Sequence, residues 1–287
     1  MNRILVGLIG ANIQQSLSPA LHEDAFAAIG MVGHYHLMDV DTLPGRTLPE
    51  LLAAARTAGF AGVNVTFPFK EAVIPLLDDV SDEARQIGAV NTVVIDASGR
   101  TTGHNTDRSG FRTAFAESFG KDAAHAQGAL QLGAGGAGRA VAFALLDLGV
   151  ASLRIYDRDH DRARKLCADL GERAQPLDAP EPAAAAAAAA LIVNATPIGM
   201  QGHPGLPMTP EVVRAGQLVA DVIYTPLETE FLKAAKKRKA LTMGGAGMCV
   251  HQAADAFRHF AGRTPDIARL KRIFAAAAER RTAGGLA

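Results

Sequence analysis

Between Ala129 and Asp157 the chain runs through an apolar strand, a glycine turn, a helix, a second strand and a carboxylate, and no other stretch narrows its fold as much. The strand is Ala129–Leu132, the turn Gly133-Ala134-Gly135-Gly136-Ala137-Gly138, the helix Arg139–Leu148 and the second strand Leu153–Tyr156. Glycines at 133, 135 and 138 fit the dinucleotide-binding fingerprint. Its first glycine makes the tight turn, its second lets the backbone approach a pyrophosphate, and its third lets helix pack closely on strand. The helix N-terminus then faces the anion. Asp157 stands at the strand end where a ribose-binding carboxylate belongs. The competing reading, a purely structural glycine turn, leaves the strand, helix and carboxylate unexplained.

The rest of the chain continues the alternation. Strands are expected at Ile4–Ile9, Tyr35–Val40, Val63–Phe67, Leu191–Asn194 and Val219–Ile223, with Met1 and Asn2 leading straight into the first. Val90–Ile95 and the residues after Thr101 suggest a hairpin. Helices are expected at Pro19–Ile29 (with Ser18 as N-cap), Leu48–Ala58, Phe69–Leu77, Asp82–Ile87, Asp107–Phe119, Arg162–Leu170, Phe231–Lys239, Val250–Phe260 and Ile267–Ala278. The alanine run Ala183–Ala190 reads as a crossover helix packed closely on a sheet. Strands alternating with helices imply an α/β protein with a largely parallel sheet, and 287 residues suggest two domains.

Charge excludes some partners. Lys+Arg and Asp+Glu both number 29, which argues against a general nucleic-acid binder. The longest apolar stretch is too short to span a bilayer, and no signal-peptide pattern opens the chain, so no membrane partner is expected. Cys167 and Cys249 stand far apart in no metal or redox spacing, and His22, His104 and His251 show no metal-ligand spacing. A cytoplasmic protein with no metal is the expectation.

Polar residues recur at element ends in the first half. They are Ser16-Leu17-Ser18-Pro19, Asn64-Val65-Thr66-Phe67-Pro68-Phe69-Lys70, Ala89-Val90-Asn91-Thr92 and His104-Asn105-Thr106-Asp107. Each alone reads as turn chemistry or a cap. Together they matter because strand C-termini of an open α/β sheet converge on one crevice.

In one order the chain carries SLSP at 16–19, NVTFPFK at 64–70, GAVNT at 88–92, GHNTDRSG at 103–110, GAGGAG at 133–138, NATPIGM at 194–200 and GGAGMCVHQAADAF at 244–257. This series resembles the shikimate dehydrogenases and the related quinate/shikimate dehydrogenases over nearly the whole chain. The resemblance implies an N-terminal α/β substrate domain over 1–105 and a Rossmann-like NAD(P)-binding domain over 106–243, with a cleft between them. Helices over 244–287 would return to the substrate domain. It implies reversible hydride transfer between a nicotinamide and a cyclic polyhydroxy acid.

Carried over by motif, Lys70 and Asp107 would be the catalytic pair flanking the reacting hydroxyl. Ser16, Ser18 and Tyr224 would bind the substrate carboxylate; Thr66, Asn91 and Gln252 would bind ring hydroxyls. Gly133, Ala134, Gly135, Gly136 and Ala137 would hold the pyrophosphate and Asp157 the adenosine ribose. Arg158 and Arg162 follow closely as further cofactor-binding candidates and could instead bind a 2′-phosphate, and Thr196, Val222 and Gly245 would surround the nicotinamide.

Two departures bear on the branch. NADP-using members commonly carry Asn-Arg-Thr after the second nucleotide-domain strand, whereas here the residues are Asp157-Arg158-Asp159. A carboxylate there accepts from a ribose 2′-OH and repels a 2′-phosphate, so NAD is expected over NADP. His251 precedes Gln252, as in the quinate/shikimate branch. Alternatives are an NADP-dependent biosynthetic enzyme, a dehydrogenase of another cyclic acid, and a silent NAD-binding regulator. Against the regulator stand both Lys70 and Asp107, which a sensor does not need.

Overall fold

The computed structural model describes residues 3–179 and 182–284; Met1 and Asn2 lie outside the described residues. The chain divides into two compact units, Met1–Thr106 together with Val250–Ala287, and Asp107–Cys249. Among the described residues no helix is long and apolar enough to cross a membrane.

The first unit is built on β1 (Arg3–Gly10), β2 (Val32–Asp39), β3 (Gly62–Val65), β4 (Asp79–Val80), β5 (Thr92–Ile95) and β6 (Thr101–His104). They order as β2-β1-β3-β5-β6-β4. β1 runs parallel to β2 and β3, but β5 is antiparallel to both β3 and β6, so this sheet is mixed rather than largely parallel. The reason is the short connection at 96–100, which is a hairpin and cannot make a parallel crossover.

Helix α1 spans Ser18–Ala28, α2 spans Leu48–Thr57 and α3 spans Asp82–Ile87. Leu48, Leu51, Leu52 and Ala55 of α2 pack on Ile9, Val63, Val65 and Val93 of the sheet. Ser18 is not the N-cap of α1. The cap is Leu17, without a side-chain bond, and Ser18 opens the helix while its N–H donates to Ser16 Oγ at 3.2 Å. Phe69–Leu77 is not a helix either, but turns ending in a 3-10 segment, Ile74–Leu76. Pro75 has no N–H to continue a helical ladder and disfavours helical backbone at Ile74.

The second unit holds α4 (Asp107–Phe119), β7 (Gly128–Leu132), α5 (Gly136–Asp147), β8 (Ser152–Tyr156), α6 (His160–Leu170) and β9 (Ala174–Pro176). There follow α7 (Ala183–Ala188), β10 (Leu191–Asn194), β11 (Leu218–Asp221), α8 (Glu230–Lys237) and β12 (Leu241–Met243). The sheet is wholly parallel in the order β9-β8-β7-β10-β11-β12, the doubly wound arrangement. Successive strand residues feed opposite cores. Leu191 and Val193 face α4, α5 and α6, while Ile192, Leu130 and Leu132 face α7 and α8. Burial on both faces is what a parallel sheet requires. Small Ala185 and Ala186 let α7 lie tight on its face.

Helix α9 (Ala246–Ala261) starts at the end of this unit, and α10 (Ile267–Gly284) belongs to the first. Arg269 of α10 donates to both carboxylate oxygens of Asp24 on α1, at 2.6 and 2.8 Å.

Candidate active site

Strand order reverses between β7 and β10, whose last residues Leu132 and Asn194 are paired. Ligands of open α/β sheets bind outside the strand C-termini at such a point. Gly133 turns the chain there at φ +99, donating its N–H to Tyr156 O at 2.8 Å. A Cβ on Gly138 would stand 2.3 Å from Gly133 O, so any side chain would force the turn open. Gly136, Ala137 and Gly138 already lie within α5, whose N-cap is Gly135. A Cβ on Gly135 would meet nothing within 4 Å, which leaves open space against the helix N-terminus. First-turn N–H groups have no acceptor within their helix and suit an anion. The residues present therefore fit a dinucleotide pyrophosphate.

Asp157 follows β8 directly. Its Oδ2 accepts the Ala134 N–H at 2.7 Å and its Oδ1 the Asp159 N–H at 2.9 Å. These bonds lock the half-buried carboxylate against the glycine turn, with acceptor capacity left for ribose hydroxyls. Arg158 and Arg162 are exposed, and Arg162 pairs with Asp159 at 3.4 Å. Asp159 also caps α6. Arg162 is thus held by the carboxylate that caps its own helix.

At the other half of the sheet, Asn194 Oδ1 accepts from the Thr196 N–H at 3.1 Å and hydroxyl at 2.7 Å. The Val222 N–H donates to Asn194 O, and the Gly245 N–H to Ile223 O, each at 3.0 Å. Thr196, Val222 and Gly245 thereby share one end of β10 and β11. Tyr224 is half-buried on the loop that follows β11.

In the first unit the polar side chains form a continuous bonded set. Tyr35 OH donates to Asn64 Oδ1 at 2.8 Å, and Asn64 Nδ2 to Thr92 Oγ1 at 3.0 Å. Thr92 Oγ1 donates to Asn91 Oδ1 at 3.0 Å, which also accepts the Thr106 N–H at 2.8 Å. A backbone N–H can only meet an oxygen, so the orientation of the Asn91 amide is fixed, with Nδ2 donating to Thr106 Oγ1 at 2.9 Å. Thr106 immediately precedes Asp107, which is buried at the first turn of α4, where a carboxylate suits the helix dipole.

Thr66 and Lys70 are half-buried after β3. The Thr66 N–H donates to Ile9 O at 3.0 Å, and Lys70 O accepts the Val90 N–H at 2.8 Å. Ser16 and Ser18 sit at the entry of α1, and Gln252 is half-buried on α9 beside buried His251. Buried His22 is held neutral, its pKa pushed down to about 3 by desolvation, and stacks on Tyr35 at 4.8 Å.

Sequence reasoning missed the supports. Fully buried Gln131 donates its amide to Gly133 O and Gly138 O, both at 2.8 Å, clasping the two ends of the glycine turn. Tyr35, Asn64, Asn194 and Asp221 hold other residues in the same way. Their signal was a polar residue inside or closing an apolar strand.

A family model described as the shikimate dehydrogenase substrate binding domain matches residues 8–93. The quinate/shikimate dehydrogenase (NAD(+)) of Corynebacterium efficiens is 45% identical over 278 residues, 94% of this chain and 97% of that protein. The shikimate dehydrogenase (NADP(+)) of Streptomyces avermitilis is also 45% identical, covering 93% of each chain. Among solved structures, the quinate dehydrogenase of Corynebacterium glutamicum in complex with NAD matches with a TM-score of 0.89 at 44% identity. That match covers 96% of this chain and 100% of the other.

Proposed function

The chain belongs to the shikimate dehydrogenase family, and from that premise we propose that it is an NAD-dependent shikimate dehydrogenase that also accepts quinate. It interconverts shikimate and 3-dehydroshikimate, in the cytoplasm, with no nucleic-acid or membrane partner. The unit formed by the two chain ends takes the cyclic acid, and the unit Asp107–Cys249 takes the dinucleotide. One observation supports NAD above all: the Asp157 carboxylate, fixed by Ala134 at 2.7 Å beside the open face of Gly135.

The chemistry that bound NAD would supply is a hydride acceptor at C4 of the nicotinamide. The chain's own residues do the rest. Lys70 Nζ takes the proton of the reacting hydroxyl as the carbon gives up its hydride, and returns it in the reverse direction. A lysine can do so only in its neutral form. Asp107 holds that amine and hydroxyl in line. Ser16, Ser18 and Tyr224 bind the substrate carboxylate, while Thr66, Asn91 and Gln252 bind the ring hydroxyls. Gly133–Ala137 bind the pyrophosphate and Asp157 the ribose; Arg158 and Arg162 border it, and Thr196, Val222 and Gly245 line the nicotinamide.

Absorbance at 340 nm with NAD and shikimate tests the activity directly; no NADH formed, with either acid, rejects it. Cofactor choice gives a sharper test. kcat/KM should favour NAD over NADP, and Asp157→Ala should weaken NAD and improve NADP. An unsubstituted protein that uses NADP as well as NAD would show that Arg158 or Arg162 overrides the carboxylate.

Substrate choice follows from the serines. Quinate carries one more hydroxyl, at a tetrahedral C1, than shikimate does. Ser18 lacks the methyl of the threonine common at this position in the quinate-using branch, and so leaves a slightly larger, wetter pocket. A pocket that merely tolerates an added hydroxyl discriminates by about 10²-fold at most. Shikimate is therefore expected to be oxidised at least as efficiently as quinate. A clear preference for quinate in kcat/KM rejects this pocket reading.

A further inference from the structure

Asp221 closes β11 with its side chain wholly buried, and the reaction described above gives its charge no part. Three groups donate to it: Asn194 Nδ2 at 3.1 Å, the Ile223 N–H at 3.0 Å and Thr229 Oγ1 at 2.8 Å. All three are neutral, and no ion pair reaches this carboxylate among the described residues. Buried charges are ordinarily paired. Here desolvation outweighs the three hydrogen bonds and pushes the pKa up to about 6. The carboxylate is nonetheless ionised at pH 8.

A structural staple would not need that charge. An asparagine in its place would still accept from Asn194 and Ile223 through one oxygen, and only the contact with Thr229 would have to reverse. The position of the charge is the second observation. Asp221 is paired with Asn194 across the ends of β10 and β11, the half of a doubly wound sheet that receives the second nucleotide of a dinucleotide. Asn194 in turn holds Thr196 and Val222.

We propose that the Asp221 carboxylate sets the balance between the two redox forms of the dinucleotide, favouring the oxidised, positively charged ring over the reduced, neutral one. The inference rests on the NAD reading above. A buried charge with no counter-ion acts over several ångströms at the low effective dielectric of an interior. It attracts the cationic ring and is indifferent to the neutral one, which biases the protein toward binding the oxidant.

The test is the dissociation constants of NAD⁺ and NADH by titration calorimetry at pH 8. It compares the unsubstituted protein with Asp221→Asn, Thr229→Val and the double variant. The ratio Kd(NAD⁺)/Kd(NADH) should rise about tenfold in Asp221→Asn and in the double variant, and stay unchanged in Thr229→Val. Thr229→Val removes a hydrogen bond while leaving the charge, so an equal shift there would mean packing, not charge, and overturn the proposal. An unchanged ratio on losing the carboxylate would overturn it as well. If Asp221→Asn alone does not fold, the unsubstituted protein titrated at pH 5 and at pH 8 decides the matter: protonating the carboxylate should raise the ratio as the substitution would, and an unchanged ratio overturns the proposal. Should the unsubstituted protein bind neither dinucleotide, the NAD reading itself fails; binding of both with an unmoved ratio sinks only the role of Asp221.

Discussion

Replacing Lys70 with alanine is expected to lower turnover of shikimate by about 10²–10⁴-fold, the usual worth of a positioned acid–base group. Without the amine, the hydroxyl proton must leave to water while the hydride departs, and the alkoxide character of the transition state loses its partner. Asp107→Ala should fall in the same range, because the amine and hydroxyl would no longer be held in line. Dinucleotide affinity should barely change in Lys70→Ala, since Lys70 belongs to the first unit and the glycine turn to the second. Steady-state kinetics paired with NAD titration separates the two effects. Near-normal turnover in both variants rejects the pair as the proton relay. Weakened NAD binding with kcat unmoved would give them a cofactor role instead.

The candidate residues stood out in the sequence because they repeat a family pattern in order, from SLSP at 16–19 to the block at 244–257. The long elements were legible for a different reason. Helix α4 buries Gly110, Phe111, Ala114 and Phe115 at helical spacing, and its bounds match the expected Asp107–Phe119. β4, β9 and β12 were missed. Two or three residues cannot display an alternation, and such strands exist because a neighbour offers unpaired backbone. Phe69–Leu77 misled because its apolar spacing is helical while Pro75 forbids the ladder. The supports were hidden too. Asn64 and Asp221 bond Thr92 and Asn194, distant in sequence, and Gln131 bonds two carbonyls that meet only once the glycine turn has folded, so none of these partners shows in the chain itself.

The glycine turn yields the other large effect. Gly138→Ala is expected to destabilise the protein by about 3 kcal/mol or more and to abolish measurable NAD binding. The sign is what makes the test informative. Within an ordinary helix, glycine to alanine stabilises by about 1 kcal/mol, and Gly138 is helical. Here the new Cβ would stand 2.3 Å from Gly133 O and 3.3 Å from Gln131 Nε2. The carbonyl is backbone and cannot swing aside, so the turn must open and Gln131 loses its bond to Gly133 O. Gly135→Ala is the matched control. Its Cβ meets no protein atom within 4 Å and its φ of −77 suits any residue, so stability should change by no more than about 1 kcal/mol. NAD affinity should still fall, because the methyl enters the space reserved for the pyrophosphate. Thermal unfolding with and without NAD distinguishes the pair. Gly138→Ala should melt several degrees lower and gain nothing from NAD, whereas Gly135→Ala should melt normally and respond only weakly to it. If Gly138→Ala instead melts higher and still binds NAD, the close approach between helix and turn is not what holds the dinucleotide site in shape.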